Sequence, residues 1–256
     1  MNTIIDYRYV TLLKCSIQNE CSVKSFSFLS DSQWYQLFHL SQQQATLGVC
    51  YPVLNTLPKA QQPPQGIFLQ WAAQANYIKI RNQKMQQALR SLQSLFAEIE
   101  VYPVVMKGLS FAMNYPIPDL RMCGDIDLFI PEKYEGAIEY LRGKGMELDY
   151  SEQHYALNYQ GVRVELHHRV INPPFKEINT YKIQDIHWES RNNMNRERLD
   201  FKVFDIETQA VLMLTHAAEH LAGPGISFRF LYDWATFLQA HEKELNPISF
   251  NKQIRN

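Results

Sequence analysis

Residues 104–130 read VVMKGLSFAMNYPIPDLRMCGDIDLFI, and the fold turns on how this stretch is read. An apolar run ends in Lys107-Gly108. A segment closed by Pro116, Pro118 and Arg121 follows, and a second apolar run carries Asp125 and Asp127 two residues apart. Side chains at i and i+2 of a strand leave the same face. Both carboxylates are therefore expected to point one way while Ile126, Leu128 and Ile130 point the other. Burying unpaired charge is costly, so the pair calls for a cation, and oxygen-ligated Mg²⁺ is the first candidate.

Upstream, residues 101–106 have the composition of a strand. Residues 110–114 can form a short helix beside Gly108, and phosphates are often bound where a strand hands over to a helix. Downstream, the second strand is expected over 125–130, followed by a helix opened by Pro131 and closed by Gly143 and Gly145. Strand candidates at 146–150, 155–159 and 161–168 come next, the last two joined by a tight turn at Gln160-Gly161. The last of them alternates, with Val162, Val164 and Leu166 on one face and Arg163, Glu165 and His167 on the other. Glu165 is thus a third carboxylate on a polar strand face. Of the adjacent pair His167-His168, only His167 can share that face.

The flanks read as helices. Ile78, Met85, Leu89, Leu92, Phe96 and Ile99 form a stripe along a long amphipathic helix over 67–99, whose apolar side is expected to face a core. Before it, Ser30-Asp31 is a helix N-cap signal, and Pro52, Pro58, Pro63 and Pro64 are expected to break the chain into a linker. After the sheet, residues 175–205 are less regular, with strand candidates at 183–188 and 201–204. A helix over 207–221, stopped by Gly223-Pro224-Gly225, and another over 227–240 suggest a C-terminal helical hairpin. The expected class is α/β (α+β): a mixed sheet with flanking helices. The expected divisions are a helical N-terminal region at 1–66, a sheet-bearing region with its leading helix at 67–205, and a helical region at 206–256.

The composition is ordinary for a globular chain of 256 residues, with 46% hydrophobic and 20% charged residues. A net charge of -1 supplies no global field toward nucleic acid or an anionic membrane. Arg191, Arg196 and Arg198 form a local basic cluster, which reads first as a solvated loop and second as contact with a phosphate-bearing acceptor such as RNA. Cys15, Cys21, Cys50 and Cys123 lack paired metal-ligand spacing. With no leader pattern and no membrane-length apolar window, they are expected to be reduced thiols in a cytoplasmic protein.

These residues carry a resemblance. Met106-Lys107-Gly108, Arg121 and Gly124-Asp125-Ile126-Asp127-Leu128 are similar to the signature of a bacterial branch of the nucleotidyltransferase superfamily that has a DNA polymerase beta type of palm. Val164-Glu165-Leu166-His167 resembles its third-carboxylate strand, and the terminal helices with His216, His220 and Asp233 resemble its helical half. The likeness covers about residues 100–240. It implies Mg²⁺ or Mn²⁺ held by Asp125, Asp127 and Glu165, with Glu165 on the ion nearer the acceptor. It also implies phosphate contacts from Lys107, Gly108, Ser110 and Arg121, and transfer of a nucleoside monophosphate from an NTP to an acceptor hydroxyl. Better-known members of the superfamily carry Gly-Ser after the first strand; here Lys-Gly stands there, with Ser110 further on.

Two other readings compete. A module on the same palm could bind a nucleotide without transferring it, although such a binder has no need of the third carboxylate. His216-Ala217-Ala218-Glu219-His220 matches the H-x-x-E-H pattern of inverted zinc peptidases. That reading needs a third ligand in the little chain that remains, so cleft-lining or core histidines are preferred.

Overall fold

The computed structural model describes residues 3–18, 26–27, 29–151, 154–170, 201–223 and 225–245. Its elements, in chain order, are α1 Thr3–Gln18, α2 Asp31–Gln43, α3 Leu47–Thr56, α4 Gln65–Ala97, β1 Val104–Met106, α5 Lys107–Ala112, β2 Ile126–Phe129 and α6 Tyr134–Gly143. There follow β3 Asp149–Tyr150, β4 His154–Tyr159, β5 Val162–His167, α7 Ile206–Ala222 and α8 Phe228–His241. Two compact units form. One comprises Met1–Gln83, Asn114–Met122 and Ser227–Thr236; the other comprises Lys84–Met113, Cys123–Ile226 and Phe237–Asn256. The boundaries expected at 66 and 206 differ from this division, because the 33-residue α4 contributes its first part to one core and its second part to the other.

The second unit contains the sheet, in the order β1-β2-β5-β4-β3. β2 and β5 run parallel, with Ile126 opposite Val164, Asp127 opposite Glu165 and Leu128 opposite Leu166. The other neighbours are antiparallel. Strand alternation then sorts the faces. Ile126, Leu128, Ile130, Val164 and Leu166 enter a core with Met85, Leu89, Leu92 and Phe96 of α4 and Ile138 and Leu141 of α6. Asp127, Glu165 and His167 are left to the opposite face. Gln160 and Gly161 both take positive φ, 52° and 73°, as a two-residue turn matched to strand twist requires. That turn fixes the β4–β5 register on which the site depends.

Several expectations change in detail. The strand foreseen at 146–150 shrinks to two residues. Met146 N–H is taken by the Leu141 carbonyl at the end of α6, where Gly145 adopts φ 81°. Of the strand foreseen at 201–204, Lys202 alone bridges to β1, its carbonyl accepting from Val105 N–H at 2.9 Å. Residues 183–188 and the arginines at 191, 196 and 198 lie outside the described residues. Pro52 sits inside α3 and does not break the chain there; the breaks come after it, around a short 3₁₀ turn at Lys59–Gln61. Cys15 is disulfide-bonded, contrary to the expected reduced state, while Cys50 and Cys123 are buried thiols outside any disulfide. Disulfide pairing follows Cα separation, which sequence spacing does not report. Among the described residues, no helix is long and apolar enough to cross a membrane.

The first unit packs α1–α3 and the start of α4 around Tyr9, Leu12, Leu37, Leu47 and Trp71. Ser30 and Gln33 cap α2 reciprocally. The unit has a charged centre: Arg121 donates from Nε and Nη2 to the two carboxylate oxygens of Asp233, each at 2.8 Å, and both residues are buried. Tyr115 donates its hydroxyl to the same carboxylate. Asn82 Nδ2 donates to the carbonyls of Asp119 and Arg121, each at 2.7 Å, pinning the segment that carries the arginine. Gly48 allows that segment close approach, since a Cβ there would lie 2.2 Å from the Leu120 carbonyl oxygen.

Removing one partner of a buried pair strands the other's charge. Asp233→Ala is therefore expected to lower the unfolding free energy by about 3–5 kcal/mol, read as a fall in the urea midpoint. The double variant Arg121→Met/Asp233→Leu is expected to recover most of that loss.

Candidate active site

β1 delivers the chain to Lys107, whose backbone takes a left-handed φ of 47° and turns directly into α5. A side-chain-bearing residue in that region carries some strain, and here the turn leaves the Lys107 ammonium 3.1 Å from Asp127 Oδ1. Asp127 stands in the middle of β2, with Met106 opposite it on one side and Glu165 on the other. The second unit therefore brings Lys107, Asp127 and Glu165 together on one sheet face. Asp125 lies just before β2 and is half-buried. Gly108 packs on the backbone that carries Asp125: a Cβ there would lie 3.3 Å from the Asp125 carbonyl oxygen.

Two histidines complete the face. His167 Nε2 lies 3.1 Å from Asp127 Oδ1 and 3.6 Å from Glu165 Oε2. His154, opposite His167 across the β4–β5 ladder, places its Nε2 3.4 Å from the same Glu165 oxygen. Arg163 donates from Nε and Nη2 to Glu165 Oε1, each at 3.0 Å. His167 was legible from alternation. His154 was not, because the strand was expected to start one residue later, although counting back from the two-residue turn at Gln160-Gly161 sets residue 154 opposite His167.

The electrostatics follow from this crowding. Burial opposes ionisation of Asp127, but the His167 hydrogen bond and the Lys107 ammonium outweigh it and hold the carboxyl below its usual range. Hydrogen bonding from His167 likewise lowers Glu165 against its partial burial. Asp125 goes the other way, pushed up to about 6 by burial and by the neighbouring Asp127 and Glu165 charges. Burial works against protonation of His167, yet the bonds to Asp127 and Glu165 raise it. Lys107 is also raised, because Asp127 offsets its desolvation.

Two residues expected to contact phosphate are placed otherwise. Arg121 belongs to the first unit, and its Nε–Nη2 edge is committed to Asp233. Ser110 is buried at 1% exposure within α5, and its hydroxyl has no hydrogen-bond partner among the described residues. The resemblance that suggested both residues says nothing about which side of a short helix or loop turns inward. His216, Glu219 and His220 stay on α7, with His216 Nδ1 3.9 Å from Glu219, and among the described residues they join no convergent set of three metal-ligating groups.

Residues 30–256 match a protein family described as "uncharacterised nucleotidyltransferase". The chain belongs to that family. Its resemblance to nucleotidyltransferases, first carried by the Lys-Gly, Arg and Asp-x-Asp elements, thus extends over most of the sequence. No curated protein matches it. Among solved structures, it is similar to the solution structure of the antibiotic-resistance factor ANT(2'')-Ia, at 9% identity and a TM-score of 0.46, over 66% of this chain and 92% of that one.

A divalent cation fits this family member's site on the chemistry of the site itself. Three carboxylates, Asp125, Asp127 and Glu165, face the two cations Lys107 and Arg163, and burial together with the Asp127 and Glu165 charges opposes ionisation of Asp125, which a bound cation would favour. Because the folded chain holds the Asp125 proton more tightly than the unfolded chain does, the associated stability is present at low pH and lost as pH rises through about 6. Asp125→Asn is accordingly expected to raise the melting temperature of metal-free protein by a few degrees near pH ~8 and to change it little near pH ~4.5. Thermal unfolding at the two pH values in the presence of a chelator checks this.

Proposed function

We propose that this nucleotidyltransferase moves a nucleoside monophosphate from a nucleoside triphosphate to an acceptor hydroxyl, with Mg²⁺ and with release of pyrophosphate. The acceptor class comprises small molecules, protein side chains and RNA ends. The observation that carries the reading is the register of β2 and β5, which sets Asp127 beside Glu165. Asp125 and Asp127 would hold metal, and Glu165 would hold it on the acceptor side. Bound there, Mg²⁺ supplies charge neutralisation on the triphosphate and lowers the pKa of the acceptor hydroxyl.

The chain's own groups have separable tasks. Lys107 is a point charge for phosphate, kept protonated by Asp127. Gly108 presents backbone without a side chain at the start of α5. Glu165 is anionic and oriented by Arg163 and the two imidazoles, so it can accept a hydrogen bond from the acceptor hydroxyl and take its proton as the new phosphoester bond forms. A module that only bound nucleotide would not need a third carboxylate held this way.

The test is incubation of wild type with each labelled NTP, Mg²⁺ and a host extract. Label transfer is expected for the wild type. In Asp125→Ala/Asp127→Ala and in Glu165→Gln it is expected to fall by at least about 10²-fold. Transfer that survives in the double variant would contradict the mechanism. Nucleotide-dependent stabilisation with no transfer would favour the binding module.

A further inference from the structure

His154, Glu165 and His167 lie on one face of the sheet for a reason of register. His154 and His167 are direct partners across the antiparallel β4–β5 ladder, and Glu165 precedes His167 by two residues. Their side chains therefore form a triangle above three neighbouring backbone positions. Each offers a ligand atom, and all of these atoms lie within 4.8 Å of one another. Both imidazoles aim Nε2 at the same oxygen, Glu165 Oε2, at 3.4 and 3.6 Å.

The two imidazole-to-carboxylate separations are close to the spacing between ligands around one small ion. Bonds of about 2.0–2.1 Å to nitrogen and oxygen in a tetrahedral site put neighbouring ligand atoms roughly 3.3 Å apart. Orientation supplies an independent observation. His154 Nδ1 lies 3.3 Å from Ser151 Oγ. Ser151 Oγ donates to the His154 carbonyl at 3.2 Å and so can accept from Nδ1–H, a tautomer that leaves Nε2 with its lone pair turned inward, the usual support of a metal-bound histidine. Two imidazoles and one carboxylate suit a first-row transition ion, whereas Mg²⁺ and Ca²⁺ favour all-oxygen sites.

We infer that His154, Glu165 and His167 form a binding site for a divalent transition-metal ion of the Zn²⁺ class, beside Asp125 and Asp127. On binding, the ion takes the Nε2 positions of both histidines, and the proton that His167 shares with Asp127 and Glu165 leaves to solvent. Asp127 then keeps Lys107 as its partner and remains available to the neighbouring carboxylate site. The inference adds to the transfer reading the identity of the metal class at one edge of the same face. It rests on that reading only in sharing Glu165.

Binding is measured without nucleotide, so its outcome is separate from that of the transfer assay. Metal-free protein is titrated with Co²⁺, followed by visible absorption, and Zn²⁺ displacement and stoichiometry are measured by equilibrium dialysis. One equivalent of Co²⁺ with the intense bands of a four-coordinate nitrogen-containing site is expected, displaced by Zn²⁺ and not by excess Mg²⁺. His154→Ala and His167→Ala are each expected to weaken binding by at least about 10²-fold, and Ser151→Ala by about 10-fold. The more conservative His154→Gln, checked by circular dichroism, covers the case in which an alanine variant fails to fold. Absence of stoichiometric binding by the wild type would overturn the site. So would Co²⁺ binding that a folded His154→Gln protein retains at wild-type affinity.

Discussion

The site depends on one constraint: Asp127 and Glu165 are opposite each other on adjacent parallel strands. A slip of one residue between β2 and β5 would set Asp127 beside an apolar neighbour and turn a charged side chain into the core. The apolar sets on the other face oppose that slip, because a one-residue shift would take Ile126 and Leu128 or Val164 and Leu166 out of the core they share with α4 and α6. The hydrophobic core thus holds the carboxylates in place. The concentration of negative charge is made tolerable by Lys107 and His167, both within 3.1 Å of one Asp127 oxygen. Asp125 is left as the carboxylate that needs something more.

A second charged centre has the opposite character. Arg121 and Asp233 satisfy one another by a bidentate pair inside the first unit, with Tyr115 on the carboxylate and Asn82 holding the arginine's carbonyl. Such a pair contributes little net stability compared with an apolar replacement, but it is costly to break from one side. It ties the 114–122 segment to α8 within that unit. The arginine of the family-like signature is engaged by Asp233 in that unit, while Lys107 is the cation beside Asp127.

Period-two alternation made much of this legible in the sequence. It placed Asp127 with Glu165 and His167 on polar faces and Ile126, Leu128, Val164 and Leu166 on apolar ones, and the i, i+3, i+4 stripe of α4 marked its buried side. What alternation cannot give is which residues of two distant strands come into register, as for Asp127 and Glu165; His154 stayed out of view because its strand was expected to begin at Tyr155, although the Gln160-Gly161 turn sets it opposite His167. Nor could it foresee that Met146 would close α6 and not continue a strand, or that Ser110 would turn inward. The Asp233 partner of Arg121 was not foreseen for a physical reason: an arginine near a phosphate-like motif and an arginine bound for a buried carboxylate 112 residues away look the same in one dimension.

The most direct measurement is a crystal structure of the protein with Mn²⁺ and a non-hydrolysable nucleoside triphosphate analogue, read by anomalous scattering. The account predicts manganese peaks within about 2.5 Å of carboxylate oxygens of Asp125, Asp127 and Glu165, with the triphosphate reaching Lys107. Manganese and nucleotide bound elsewhere, with those three carboxylates unoccupied by metal, would contradict it.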